Sequence, residues 1–285
     1  VNGIIDDFAV FAAALDGDQI SSIFEGNTDL YPAKREIIQP PLEEGLIGYW
    51  PFDDHGDFTK DISQSGNDGQ VNGGAEYVAG HSGQPNDYAI QFDGLDDSVT
   101  TEVSLLNDLD DLTLSFWMLM PEEQQGHRIG LIGQNDAIEF GMDNPTTMWY
   151  WTPRGDVRAD FGPTVEEWTH VAVVVDWDGM RIYSNGEMIG DHPGAGGAVD
   201  SDYPFNIGGD GVFDAHGNFF KGTIDDVAVW EIALSDEHIA DLASGAVTPS
   251  SSSGDSIGEP DDGPIVIEEE SFGDPVTYTN IAPTL

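Results

Sequence analysis

The stretch Gly222-Thr-Ile-Asp-Asp-Val-Ala-Val-Trp-Glu-Ile-Ala-Leu234 has the alternating pattern of a closing β-strand, and a related copy, Gly3-Ile-Ile-Asp-Asp-Phe-Ala-Val-Phe-Ala-Ala-Ala-Leu15, stands near the start. The copies align without a gap as far as Gly26 and Gly245. Self-similarity at a fixed offset is typical of repeated units. The second copy follows enough sequence to form a whole domain, whereas the first follows almost none. We therefore expect residues 1–26 to be the closing strand and helix of a preceding or partner domain, which makes the chain a link in a series.

The sequence between the two copies changes character at Gly45. From there, short segments rich in Val, Ile, Phe, Trp and Tyr alternate with clusters of Gly, Asn, Asp and Ser, and helical periodicity is nearly absent. The clearest strand segments are residues 113–120, 169–176 and 180–187, and the last carries an Asn185-Gly186 hairpin signal. Many short strands with turn-rich joints predict an all-β fold, a two-sheet antiparallel jelly-roll sandwich with short N- and C-terminal extensions.

Two connecting segments flank the predicted jelly roll of residues 45–245. Residues 27–44 contain three prolines and are predicted to be a linker. Residues 246–285 combine a Ser/Gly/acidic linker with a tail whose short apolar runs could form strands only by pairing with a folded partner. We expect residues 1–26 or 264–285 to dock on a neighbouring copy or tandem domain by strand addition.

The charge balance excludes several classes of partner. Lys and Arg number 8 against 54 Asp and Glu, giving a formal net charge of −46. Such a surface repels phosphate backbones and anionic lipids, so nucleic-acid and membrane-surface roles are not expected. Cysteine is absent, which removes disulfides and thiolate metal sites. No run of about 18 apolar residues offers a membrane span, and membrane insertion is not expected.

Large aromatic residues recur in the predicted strands. In a strand, alternate side chains face inward, and one Trp or Phe supplies much of the apolar area that a thin sandwich needs. The residues predicted to lie in the core on this basis are Trp50, Phe52, Phe116, Trp168 and Trp230.

A family resemblance rests on a series of segments taken in chain order. They are residues 45–54, 61–69, 92–99, 112–117, 168–172, 182–187, 206–209 and 222–230. Together they resemble the laminin-G-like jelly rolls of the concanavalin A-like lectin/glucanase superfamily, over residues 45–245. Residues 1–26 resemble the closing segment of a preceding domain of the same type. The resemblance implies the jelly-roll fold.

Acidic residues beside asparagines and glycines are candidate ligands for a hard cation, because calcium prefers oxygen ligands. Domains that resemble this one often hold calcium near the opening and closing strands, which by position implies Asp53, Asn67, Asp68 and Asp225. Calcium is therefore the predicted cofactor. Acidic turns need no metal, however, so a solvated coat is the alternative explanation.

Two further groups of residues could bind a ligand. Trp149 and Trp151 share one face of a predicted strand, and exposed indoles form a platform for a sugar ring. Both faces of this strand are apolar, which favours a core position for the two indoles. The segment of residues 209–218 carries polar groups suited to a cation or a saccharide, or to a solvated hairpin tip; they are Asp210, Asp214, His216 and Asn218.

Catalytic motifs are missing from the sequence. The superfamily's glucanases carry two carboxylates on one strand as Glu-x-Asp-x-x-Glu, and the nearest segment here, Glu139-Phe-Gly-Met-Asp143, lacks the second glutamate. No His-Glu-x-x-His motif is present, and His170 is interpreted as a framework residue. We expect a non-catalytic, extracellular, calcium-stabilised adhesive or structural module, a repeat of a larger surface protein or filament. The alternative is a carbohydrate-binding, lectin-like module that recognises a polysaccharide or glycoprotein.

Overall fold

The computed structural model describes residues 41–122, 126–162, 165–194 and 196–250. The predicted segments 1–26 and 251–285, with most of the 27–44 linker, lie outside the described residues. Within the described ranges the chain forms sixteen β-strands and one α-helix. These are β1 (Leu46–Trp50), β2 (Phe58–Thr59), β3 (Gly69–Asn72), β4 (Glu76–Ala79), β5 (Tyr88–Asp93), β6 (Ser98–Thr101), β7 (Leu112–Leu119), β8 (Ile129–Gln134), β9 (Ile138–Asn144), β10 (Thr147–Thr152), β11 (Gly155–Asp160), β12 (Trp168–Val175), β13 (Gly179–Ser184), β14 (Glu187–Pro193), β15 (Asn206–Ile207), β16 (Lys221–Trp230) and α1 (Asp236–Ser244).

The strands form two antiparallel sheets of eight strands each, which confirms the predicted sandwich. Sheet A has the order β14-β13-β12-β7-β16-β5-β4, and β1 also pairs with β16. Sheet B has the order β11-β10-β9-β8-β15-β6-β3-β2. Consecutive strands pair with one another from β8 to β11 and from β12 to β14, whereas β16 pairs with β1, β5 and β7, which are distant in sequence.

The core lies between the sheets and is built from alternating side chains. Along β7, Leu114 and Phe116 point into the core, and Tyr150 does so from β10 of the opposite sheet. Trp50 stacks on Phe205 with ring centroids 5.3 Å apart. The predicted core aromatics Trp50, Phe52, Phe116 and Trp230 are buried, whereas Trp168 is half-buried, because it stands at the first position of β12.

Helix α1 covers the outer face of sheet A with a second, smaller apolar layer. Ile239 and Leu242 of α1 pack on Trp230 of the closing strand. The helix begins after Ser235, whose side chain accepts a hydrogen bond from His238 N, and ends at Gly245 in the left-handed region with φ of 70°. In the structure, the second repeat copy forms strand β16 and then helix α1.

The Asn185-Gly186 hairpin between β13 and β14 forms as predicted, with φ of 49° and 81°. Asn185 also makes contacts beyond the turn. Its side-chain oxygen accepts from His170 N at 2.9 Å, and its own N–H donates to His170 O. The turn is therefore tied to the neighbouring strand β12.

Asp61 organises the loop between β2 and β3. Its carboxylate accepts hydrogen bonds from the backbone N–H groups of Tyr49 at 2.9 Å, Ser63 at 2.8 Å and Asn67 at 2.7 Å. Asn67 O in turn accepts from the indole N–H of Trp50. This single buried carboxylate thus joins β1, the loop and the aromatic core.

Replacing Asp61 by alanine is expected to lower the free energy of unfolding by about 2–4 kcal/mol, because three backbone donors lose their charged acceptor. Urea unfolding followed by tryptophan fluorescence measures the change. Asp57→Ala, at an exposed position in the same region, is the matched control and should change the value by less than about 0.5 kcal/mol. Equal effects of the two substitutions would contradict the role given to Asp61.

Candidate functional site

Glycines on the outer face of sheet B leave room for another segment of the chain. Gly133 of β8 lies opposite Glu139 of β9, and Gly130 lies opposite Gly141. Directly opposite residues of antiparallel strands share a face. The middle of the outer face of sheet B therefore carries three glycines, Gly130, Gly133 and Gly141, with Glu139 beside them.

The segment of residues 208–219 lies on this glycine floor. A Cβ atom added at Gly130 would meet Val212 at 2.8 Å, and one added at Gly141 would meet the Phe213 ring at 2.8 Å. Val212 and Phe213 are buried. The segment is therefore anchored to sheet B through Val212 and Phe213, and the alternative of a solvated tip holds only for its exposed residues Asp214 and His216.

The two indoles of β10 lie on the same outer face. Trp149 is opposite Gly141 and Trp151 is opposite Glu139, whereas Tyr150 between them is buried in the core. Both indoles are half-buried. The expectation of a core position is wrong for both indoles. Met148 and Tyr150, on one face of β10, are buried in the core, whereas the indoles lie on the opposite, outer face.

Trp149 is held in place by its neighbours. Its ring stacks on Phe213 at a centroid distance of 5.0 Å, and the guanidinium carbon of Arg158 lies over it at 4.2 Å. Its indole N–H donates to Asp156. Within the described residues, no aromatic ring or cation stacks on Trp151, so this indole has a face available for a ligand.

Beside the anchored segment lies a cleft of about 450 Å³, here called the indole cleft. It combines two indoles and a tyrosine with three carboxyl groups, one guanidinium and one amide. The lining residues are Arg128, Asn135, Asp136, Glu139, Trp149, Trp151, Tyr203, Phe213, Asp214 and Ala215. A cleft lined by both aromatic and polar side chains can bind an amphipathic ligand and fix its orientation.

Glu139 is the most perturbed ionisable group of the indole cleft. Its side chain is 3% exposed, and burial raises its pKa from 4.5 to about 7. Asp136 N donates to Glu139 Oε1 at 3.1 Å, and the Arg128 charge opposes the rise. Glu139 can therefore be protonated near neutral pH and offer a hydrogen-bond donor to a ligand.

The residues predicted to bind a ligand fall into two groups in the structure. Trp149, Trp151 and Asp214, predicted from separate segments, line the indole cleft together. The remaining three stay within their own loop: His216 Nδ1 and Gly217 N contact Asp210 Oδ1, and the side-chain amide of Asn218 donates to Asp214 Oδ2. The sequence analysis missed Arg128, Asn135, Asp136 and Tyr203 of the cleft, because no local pattern marks them.

The four predicted calcium ligands are not gathered at one point. Asp68 forms an ion pair with Lys60, and the side-chain amide of Asn67 donates to Ile47 O. Asp53 accepts from Tyr88 N, whereas Asp225 contacts His81. Among the described residues, only two groups bring three metal-binding side chains within 4.8 Å of one another, and Asp225 is the only one of the four that belongs to either. A calcium site built from these four residues therefore stays a prediction.

A second polar cluster lies on the outer face of sheet A, here called the imidazole–carboxylate cluster: His81, Asp225 and Asp226. His81 Nδ1 lies 2.9 Å from Asp225 Oδ2 and 3.6 Å from Asp226 Oδ2. Burial, with the neighbouring Asp225 charge, raises the pKa of Asp226 to about 7. The Tyr49 hydroxyl donates to Asp226 Oδ1 at 2.6 Å. No local sequence pattern marks His81, since it stands alone in a loop.

Two antiparallel sheets in this strand order define a jelly-roll sandwich. The indole cleft lies on one of its outer faces. A sequence model of the concanavalin A-like lectin/glucanases superfamily, of the laminin G type, matches residues 92–240, just over half of the chain. The chain therefore belongs to the concanavalin A-like lectin/glucanases superfamily, as the sequence resemblance predicted. The comparison with curated proteins finds no match.

Solved structures share the fold at low sequence identity. Domain 4 of an extracellular GH43 arabinanase from Geobacillus stearothermophilus, solved with arabinotriose, is 19% identical with a TM-score of 0.51, and the match covers 70% of this chain and 98% of that domain. The binding domain of Paraclostridial Mosquitocidal Protein 1 is 15% identical with a TM-score of 0.55, covering 72% and 53%. Trypanosoma rangeli sialidase, solved with sialic acid, is 18% identical with a TM-score of 0.51, covering 70% and 33%. The chain thus spans about half of the toxin domain and a third of the sialidase.

The raised pKa of Glu139 predicts a pH-dependent cost to folding. Because the folded-state pKa is above the unfolded value, the unfolding free energy should fall between pH 4.5 and about pH 7 and then level off. Glu139→Gln removes this cost. The unfolding free energy of the variant should exceed that of the native chain by about 1–3 kcal/mol more at pH 8 than at pH 5. This corresponds to a few degrees in melting temperature. Glu187→Gln, on the exposed start of β14, controls for the lost charge. A difference from native that is the same at both pH values would refute the assignment.

Proposed function

We propose that this chain is a non-catalytic carbohydrate-binding module and that the indole cleft is its ligand site. The single observation that carries the proposal is the position of Trp151. This indole is half-buried, faces the cleft, and stands directly opposite the buried carboxyl of Glu139. A flat apolar surface beside hydrogen-bonding groups matches the two faces of a sugar ring.

The cleft's polar groups suit hydroxyl ligands. Arg128 donates to Asp214, and its Nε is buried without a partner among the described residues. Asn135 and Asp136 supply an amide and a carboxylate. A saccharide carries many hydroxyl groups, each of which can donate and accept, so it can satisfy such a mixed set.

The cleft's volume supports a ligand of one or two sugar rings. A volume of about 450 Å³ falls within the range of small-molecule sites, which is roughly 300–1,000 Å³. Trp149 is already covered by Phe213 and Arg158, so Trp151 is the stacking surface that remains. Trp149 then acts as a support that keeps the wall of the cleft rigid.

The spacing of the carboxylates on β9 supports a binding role. Side chains on the outer face of a strand alternate, so Glu139 is followed on that face by Gly141 and then Asp143. Glycosidases of the usual kind need a pair of carboxyl groups flanking the scissile bond, at most about 9.5 Å apart. Asp143 is about 13 Å from Glu139 along the strand, and its Oδ2 lies 3.7 Å from Arg158 Nε.

The comparisons favour carbohydrate binding over a purely structural role. Domain 4 of the arabinanase and the sialidase were solved with saccharides. An extracellular location is proposed together with binding, since the arabinanase is extracellular. No helix within the described ranges is long and apolar enough to cross a bilayer. Adhesion, filament formation and tandem partners concern residues 1–26 and 264–285, outside the described ranges, and stay predictions, as does stabilisation by calcium.

Trp151→Ala should weaken saccharide binding at least about tenfold, because the ligand loses its stacking surface; a tenfold change corresponds to about 1.4 kcal/mol. The native chain is first screened on a glycan array that includes arabinotriose and sialylated glycans. Isothermal titration calorimetry then compares the variants on the strongest glycan.

Trp177→Ala is the matched control, since Trp177 is 84% exposed at the β12–β13 turn, away from the indole cleft. It should leave the affinity unchanged, and neither substitution should move the melting temperature by more than a few degrees. The proposal fails if the native chain binds no glycan on the array, or if the two tryptophan variants bind equally well.

A further inference from the structure

A β-bulge in the closing strand places two adjacent carboxylates beside each other on the outer face of sheet A. Asp225 lies opposite Trp117 of β7, but Ala228 lies opposite Ser115, so β16 has one extra residue between the two pairs. Asp226 takes up the bulge with φ of 48°. Adjacent residues of a regular strand point to opposite faces, and the bulge removes that restriction.

One oxygen of each carboxylate is fixed by the surrounding chain. Asp225 Oδ1 accepts from Asp226 N at 2.8 Å, and Asp226 Oδ1 accepts from the Tyr49 hydroxyl at 2.6 Å. The other oxygen of each, Oδ2, lies near His81 Nδ1. The His81 ring itself is oriented by stacking on Trp117, with centroids 4.4 Å apart and an angle of 13°. Supporting contacts of this kind orient metal ligands.

The spacing of the three atoms fits a small tetrahedral ion. Ligand atoms about 2.0–2.2 Å from zinc lie about 3.3–3.6 Å from one another. The distances from His81 Nδ1 to the two Oδ2 atoms, 2.9 and 3.6 Å, bracket this range. One ligand atom from each of the three residues lies within 4.8 Å of those of the other two.

The cluster borders a cavity of about 270 Å³ that is strongly acidic. Asp53 and Asp87 line the cavity together with Asp226, and no lysine or arginine is among its described lining residues. The side chain of Asp225 is 0% exposed and that of Asp226 is 19% exposed. Among the described residues, the His81 imidazole is the only basic group in contact with these carboxylates, and a cation would offset the cost of burying them in the charged form.

A buried nitrogen without a hydrogen-bond partner belongs to a residue that lines the same cavity. His170 lines the cavity and is 1% exposed, with Nε2 bonded to Ser115 Oγ at 2.8 Å. Its Nδ1 has no hydrogen-bond partner among the described residues. The interpretation of His170 as a satisfied framework residue is therefore only half correct. An orphaned buried polar atom indicates a missing water, ion or ligand.

We infer that His81 Nδ1, Asp225 Oδ2 and Asp226 Oδ2 bind a divalent transition-metal ion of the zinc class. The fourth position is left to a water molecule, which can bond to the orphaned Nδ1 of His170. The ion takes the place of the proton shared between His81 and Asp225. Calcium is disfavoured here, because it prefers six to eight oxygen ligands, whereas an imidazole with two carboxylates suits zinc. The inference does not depend on carbohydrate binding at the indole cleft, which lies on the other sheet.

Zinc chloride titrated into the tag-free chain by isothermal calorimetry tests the site. We expect one zinc ion per chain at moderate salt, and a higher melting temperature with zinc than with chelator, since an ion that binds only the folded state stabilises it. His81→Gln should weaken zinc binding at least about tenfold, and so should Asp226→Asn.

His216→Gln is the matched control, because His216 also contacts an aspartate but is exposed at the surface; it should bind zinc like the native chain. Circular dichroism without metal checks that each variant is folded, and Asp226→Asn decides the outcome if His81→Gln does not fold. The inference is overturned if the native chain binds no zinc, if the control and the cluster variants bind equally, or if calcium chloride displaces the zinc.

Discussion

Burial of β16 on both faces is the constraint on which the rest of the structure depends. Ile224, Val227 and Val229 point into the core between the sheets, whereas Ala228 and Trp230 point outward under helix α1. A strand that is apolar on both sides must be covered on both sides. Helix α1 therefore has to cover this part of sheet A. The closing strand and the helix form one packing unit, and the sequence repeats them together near its start.

The same constraint explains why the outer face of sheet A holds buried charge. Where α1 ends, the row of apolar side chains gives way to Asp225, Trp117 and His170, which neighbour one another across β16, β7 and β12. Carboxylates in that row cannot be hydrated freely, so they need Tyr49, His81 or an ion as partners. In the part of the chain that the structure describes, no helix covers the outer face of sheet B. Its glycines accept the segment of residues 208–219 and leave the indole cleft open beside it.

Local patterns predicted the fold well because strand alternation and turn chemistry are local properties. The strands β7, β12 and β13 and the Asn185-Gly186 turn could be placed within one residue at most boundaries. The sites could not be placed in the same way. Glu139 and Trp151 become neighbours only through the pairing of β9 with β10, and His81 meets Asp225 across 144 residues of sequence. The apolar run of β10 led to the wrong prediction of a core position for its two indoles. Periodicity shows that both faces of a strand are apolar, but it does not show which face meets the core.

The pairing of β1 with β16 has a consequence during protein synthesis. Tyr49 and Asp226, which share a hydrogen bond across this pair, are 177 residues apart. At about 5–20 residues per second, the ribosome needs roughly 10–35 s to make the chain between them. Throughout that time β1 lacks its only partner among the described strands, so the nascent chain exposes an apolar strand edge until Trp230 has left the exit tunnel. The hydrogen bonds between β1 and β16 can therefore form only after nearly all of the jelly roll has been synthesised.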